Sequence, residues 1–70
     1  MTRPVEILPV PEGETLGSLV VTYQCLGAFA RRNMAVTCAR HVRAPQIFIY
    51  ESPATGLHVA FEPIQRLHGS

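Results

Sequence analysis

The sequence contains no lysine and no aspartate, and charged residues of every kind make up only 16% of it. Without lysine, every fixed positive charge is a guanidinium, suited to planar, bidentate contacts with carboxylate or phosphate. A GC-rich coding sequence would produce the same bias. The formal net charge of +1 exerts no strong global pull towards nucleic acid or a membrane surface. No apolar run approaches the ~20 residues of a spanning helix, so no membrane role is expected. The opening residues lack a long apolar stretch and soon meet Pro4, Pro9 and Pro11, unlike a secretory leader. Cysteine is scarce too: Cys25 and Cys38 permit one disulfide but do not require it. The expectation is a cytoplasmic protein with two free, buried thiols.

What is present fits one small domain, 1–70. A chain of this length buries only roughly 60% of the surface its unfolded form exposes, which makes the core thin. The hydrophobic fraction is nevertheless 47%, ordinary for a folded protein and too high for a disordered one. Many apolar and few charged side chains on a small domain leave apolar surface for a partner or a second copy.

The charges are unevenly placed. Glu6, Glu12 and Glu14 come early, and Glu51 and Glu62 come late. Between Glu14 and Glu51 the charged residues are Arg31, Arg32, Arg40 and Arg43, with the titratable His41 among them. This middle either faces an anionic partner or solvates one face whose carboxylates lie nearby in space.

Residues 5–8 read as a short strand, confined to a sheet edge by Pro9 and Pro11. In 15–32, Leu16, Leu19, Val20, Tyr23, Leu26 and Ala30 form a stripe at helical spacing. Thr15 is a fair N-cap, and Asn33 suits the left-handed position after the last turn. Val20, Val21 and Thr22 form a β-branched run, and Gly17 and Gly27 weaken a helix interior. A strand would instead align Leu19, Val21, Tyr23 and Cys25. The helix is the preferred reading because caps, charges and periodicity agree.

Residues 34–42 alternate, with Met34, Val36 and Cys38 opposite Ala35, Thr37, Ala39 and His41, and read as a strand, with a short helix as the alternative. Residues 46–51 are dense in β-branched and aromatic side chains. Turn chemistry follows in 52–56, with Pro53 and Gly56, and 57–61 alternate again. Together these predict a β-hairpin ended by Glu62 and Pro63, with Ile64 and Leu67 on one helical turn. The expected architecture is α+β, a small two-layer β-α-β-β-β domain with a largely antiparallel sheet and one helix. An all-β SH3-like barrel is the alternative.

The chemistry-bearing residues form no convincing catalytic set. Cys25, Cys38 and His41, with His58 or His68, carry zinc donors, but only Cys38 and His41 are closely spaced. On a strand these two would point to opposite faces. A Cys–His nucleophilic pair meets the same objection and lacks a third group to orient the base. Ser18 does not sit in a nucleophile elbow. Gly13 and Gly17 are followed by no lysine and flanked by Glu12 and Glu14, unlike a phosphate-binding loop. Glu51 and Glu62 approach each other across the hairpin but face water. We therefore expect no enzymatic activity, metal, cofactor or small-molecule substrate.

Residues 30–37 (Ala-Arg-Arg-Asn-Met-Ala-Val-Thr) resemble the turn of a helix-turn-helix, with the hairpin 46–61 like the wing of small excisionase-type regulators. That resemblance implies a DNA- or RNA-binding regulator whose Arg40 and Arg43 face phosphates or guanines. It departs from the pattern in lacking the usual glycine of the turn, in Pro45, and in a wing with Glu51 and no arginine. Tyr50-Glu51-Ser52, then residues 56–60 and 64–67, resemble the closing strands of SH3-like barrels, including those of type II dihydrofolate reductases. The substrate-contacting Val-Gln-Ile-Tyr of that enzyme family is replaced by Leu57-His58-Val59-Ala60, so no activity transfers.

The leading expectation is a non-enzymatic protein-binding module, such as an accessory regulator or inhibitor, acting on a protein partner or as a homodimer through an exposed sheet edge. Arg31, Arg32, Arg40, Arg43, Phe48, Tyr50 and His58 are its candidate contact residues. Nucleic-acid binding through the four arginines is the rival.

Overall fold

A computed structural model describes residues 4–65. Six elements follow one another: β1 (Glu6–Ile7), α1 (Leu16–Thr22), β2 (Tyr23–Phe29), α2 (Arg32–His41), β3 (Gln46–Glu51) and β4 (His58–Gln65). The strands form one mixed sheet in the order β1-β3-β4-β2. β1 is parallel to β3, and β4 runs antiparallel to both β3 and β2.

The fold is α+β, as expected, but it has two helices rather than one, and they cover opposite faces. The helical stripe of 15–32 is real only as far as Thr22. Thr15 caps α1: its Oγ1 accepts from Ser18 N–H at 3.1 Å, and its own N–H donates to Ser18 Oγ at 2.9 Å. After one more turn the β-branched run takes over, and the chain passes directly into β2 at Tyr23. Both sequence patterns in this stretch were thus meaningful, each for half of it.

The strand expected at 34–42 is instead α2. Its buried residues are Ala35 and Ala39, four apart on one helical face, while Met34 is exposed. The alternation of Met34, Val36 and Cys38 reflected no sheet. α2 ends in a Schellman arrangement. Ala44 N–H donates to Ala39 C=O at 2.9 Å, Arg43 N–H donates to Arg40 C=O at 3.1 Å, and Arg43 is left-handed at φ 59°. Glycine normally occupies this position; an arginine there costs on the order of 1 kcal/mol.

The hairpin is as the sequence predicts. Phe48, Ile49, Tyr50 and Glu51 lie opposite Phe61, Ala60, Val59 and His58. Gly56, at φ 72°, closes the turn, donating to Ser52 C=O at 2.7 Å. β4 does not end at Glu62 and Pro63, however, but continues to Gln65. Pro63 has no N–H for the ladder, and the register with β2 slips there, Gln24 facing Glu62 and Tyr23 facing Gln65. Ile64 therefore lies on a strand and is exposed, while Leu67 falls outside the described residues.

Period-two alternation along β3 and β4 divides the core. Ile47, Ile49 and Ala60 point to α2, where they meet Ala35, Ala39 and Ala44. Phe48, Val59 and Phe61 point the other way, to Leu19 and Leu16 of α1 and to Leu8 and Val10. This second cluster contains the Phe48–Phe61 stack, with ring centroids 5.3 Å apart, and Tyr23 edge-on to Phe48 at 5.1 Å. The sheet is thus covered on both faces, giving three layers in place of two; it is largely antiparallel, as expected, but mixed, because the two-residue β1 runs parallel to β3. It is also open, with β1 and β2 as its edges, so it is not the barrel considered above.

Candidate functional site: an uncharged sheet edge beside a basic helix

The two edges of the sheet differ. β1 has two residues and is followed closely by Pro9 and Pro11. β2 has seven, Tyr-Gln-Cys-Leu-Gly-Ala-Phe, none charged and none proline. No residue of β2 is fully buried, and Gln24 and Ala28 are exposed. Native edge strands are usually guarded by charges, prolines, bulges or brevity. β2 has one of these guards. Cys25 faces Phe61 and Gly27 faces Ala60, so Leu26 is an extra, bulged residue. Gly27 accommodates it at φ 151°, and the Phe29 ring lies so close that a Cβ on Gly27 would stand 2.9 Å from its Cζ. The bulge divides the edge into two short, still uncharged, pairing segments.

α2 follows β2 after only Ala30 and Arg31, and packs back across β2, β4 and β3. All four candidate arginines belong to this helix or its ends. Arg31 is the N-cap, Arg32 the first helical residue, Arg40 lies in the last turn, and Arg43 lies just beyond it. All four are exposed, and none forms an ion pair with a carboxylate of the described residues. From Arg32 to Arg40 the helix rises about 12 Å, roughly half the length of a seven-residue strand.

The carboxylates lie elsewhere. Glu12 and Glu14 lead into α1 on the opposite face, with Glu14 accepting from Ser18 Oγ. Glu6 accepts from Gln46 Nε2 at 2.9 Å on the far edge. Glu51 lies across the hairpin from His58, with Oε2 3.9 Å from Nδ1. Glu62 is four residues along β4 from His58, so the approach of Glu51 and Glu62 expected from the sequence does not occur.

The remaining candidates separate from the arginines. Phe48 is only 2% exposed and offers a partner nothing; it is a core residue of the α1 face. Tyr50 is half-buried in the same cluster, and His58 is half-buried at the turn end of the hairpin. The high β-propensity that marked Phe48 and Tyr50 reflected two central strands, covered on both faces. For the same reason the hairpin is no projecting wing. α1 and α2 are separated by β2 and lie on opposite faces, so they form no helix-turn-helix.

The helix preferred over 15–32 displaced β2, although the strand alternative aligned two of its residues, Tyr23 and Cys25. The signal was present as seven consecutive uncharged residues, hidden because the helical stripe absorbed them. Cys25 and Cys38 are free thiols packed on opposite faces of the sheet. Among the described residues, no three or more His, Cys, Asp or Glu side chains gather in a metal-binding group. No described helix is long and apolar enough to cross a membrane. No protein-family model, curated protein or solved structure matches this chain.

Proposed function

We propose that this chain is a small, non-enzymatic protein-binding module that works by strand addition at the outer edge of β2. The observation that carries the reading is a seven-residue edge strand without charge or proline, interrupted by the bulge at Leu26 and by a register slip at its Tyr23 end. An added strand gains main-chain hydrogen bonds from such an edge, and side-chain pockets supply selectivity. The segment could come from a second copy or from another protein, and a regulator or inhibitor in the cytoplasm, with both thiols reduced, fits either source. Amide hydrogen exchange tests the reading. Exchange in β2 should slow as protein concentration rises or an extended peptide is added, and Gln24→Lys with Ala28→Lys should abolish the slowing. Edge amides that exchange equally fast under every condition would sink it.

A second reading rests on the four arginines of α2 and its ends, none ion-paired with a carboxylate of the described residues, which also suit nucleic-acid phosphates. It predicts binding to an oligonucleotide that weakens steeply with salt. The helix-turn-helix that first motivated it is absent, so the basic face is its sole support.

A further inference from the structure

We propose that the occupant of the β2 edge is the β2 of a second copy, the two strands pairing antiparallel about a two-fold axis with their α2 helices side by side. The inference rests on strand addition at β2 and names the partner. It is carried by the flank that α2 turns towards that edge.

α2 packs more closely over β2 and β4 than over β3. Cys38 marks its flank nearest the edge: Sγ lies 4.0 Å from the carbonyl oxygen of Leu26, the middle residue of β2. Helical residues four apart stack in a row, so Met34 and Val42 stand on either side of Cys38. Val42 N–H continues the helical ladder to Cys38 C=O at 3.0 Å. Met34 is 49% exposed and Val42 54%, so this apolar row meets solvent. His41, seven residues on from Met34, shares that side of the helix. At about 100° per residue, Arg40 points away from Cys38 and Arg32 falls about a third of a turn from it. Arg43 leads off through Ala44 and Pro45 towards β3. The flank beside β2 therefore joins an apolar row to an uncharged strand, with Arg31 only at its rim, where charge costs least.

A second copy fits this flank in spacing, charge and extent. Paired strands lie about 4.8 Å apart, and each α2 sits about half that distance inside its own edge. The two helix axes then come to roughly 10 Å, the distance at which helices pack. A two-fold axis at Leu26 also passes by Cys38, setting Cys38 against its counterpart and Met34 against Val42 of the second copy. In the strands it sets residues 23–25 of one copy against 27–29 of the other. A two-fold interface presents each flank to its own twin, so a strongly charged flank would repel itself and an uncharged one does not. An acidic or basic partner, by contrast, finds no counter-charge along β2. The molecule measures 18 Å along its shortest axis, and a seven-residue strand is about 23 Å long. Two flanks of this size bury on the order of 1,000 Å², the lower bound for a specific interface, so the dimer should dissociate in the range of about 1–100 μM.

The test measures the mass of the full chain by sedimentation across its concentration range, with amide exchange read in parallel. A monomer–dimer equilibrium should appear, and the β2 amides should slow as the dimer fills. Met34→Lys, at an exposed position that leaves the core intact, should weaken the dimer at least about tenfold, because each copy then carries a charge into the shared helix seam. Arg40→Gln, on the other side of α2, should leave it unchanged. In Cys25→Ser, where Cys38 is the sole thiol, a short bismaleimide should join two chains. A monomer at every concentration whose β2 amides are protected by an added valine–threonine octapeptide would overturn the second copy and leave strand addition standing. A dimer with β2 amides exchanging as in the monomer would overturn strand addition itself. A dimer with protected β2 amides that ignores Met34→Lys and gives no Cys38 crosslink would overturn the paired helices. A monomer that the peptide does not protect would overturn both readings.

Discussion

The two faces of the sheet solve the same problem with different materials. Beneath α2 the sheet presents Ile47, Ile49 and Ala60, and the helix answers with Ala35 and Ala39, joined by Ala44. Small residues let a ten-residue helix lie close to the strands, so its outer side is free to carry charge. Beneath α1 the cover is a seven-residue helix and a segment interrupted by prolines, and rings fill the space it leaves. Phe48 and Phe61 stack there, with Tyr23 edge-on to Phe48 and Leu19 closing the layer. A short cover demands bulky filling, whereas a long helix demands smoothness. The exposed side chains over the smooth layer can accordingly change without disturbing the core.

The contrast is most sharply tested by emptying one layer and overfilling the other. Phe61→Ala removes a fully buried ring and the stacking partner of Phe48. It should cost about 3–5 kcal/mol, enough to unfold much of a domain this small at 25 °C. Ala39→Leu forces a branched side chain between helix and sheet and should cost about 1–3 kcal/mol. Urea denaturation followed by circular dichroism measures both. If Ala39→Leu were neutral, α2 would not lie close to the sheet, and the division into a smooth and a bulky layer would fail.

How far these layers could be read in advance depended on the kind of signal. The hairpin was legible because 46–51 and 57–61 have strand composition and 52–56 have turn chemistry, so local and tertiary preferences agree. Thr15 was legible as a cap for the same reason. α2 was not, because its core contacts come from Ala35 and Ala39, which hydrophobic patterning scarcely registers, while Met34, Val36 and Cys38 mimic a strand. The α1–β2 junction was obscured because a single apolar stripe continues across it, although the backbone changes conformation at Tyr23. Of the candidate contacts, the four arginines are exposed, because long charged side chains rarely end up anywhere else. Phe48 was misassigned because aromatic character alone does not distinguish a contact surface from a core.

The bulge in β2 offers a smaller test on the boundary between the layers. Gly27→Ala must adopt φ near 151° and displace the Phe29 ring. Thermal denaturation should register a loss of about 1–2 kcal/mol, part of the range for backbone strain of this kind. Substitution without loss would mean that β2 had shed its bulge and re-registered on β4, which the amide shifts of Cys25 and Ala28 would reveal.

The smallest expected effects are gains, and they set stability against binding. Arg31→Ser supplies the missing cap of α2 and should add about 0.5–1 kcal/mol. Arg43→Gly relieves the left-handed residue and should add about 0.5–1 kcal/mol, the extra freedom of glycine in the unfolded chain offsetting part of the relief. The two sites lie at opposite ends of the helix with no shared partner, so their effects should add. If these arginines served only as solvated surface, the double variant would be more stable and otherwise unchanged. If they bind an anion, as the second reading has it, the more stable protein should bind a single-stranded oligonucleotide more weakly, and more salt should narrow the difference from wild type. Urea midpoints and anisotropy titrations on the same two proteins therefore separate a helix that is merely basic from one that keeps its charges at the expense of its own stability.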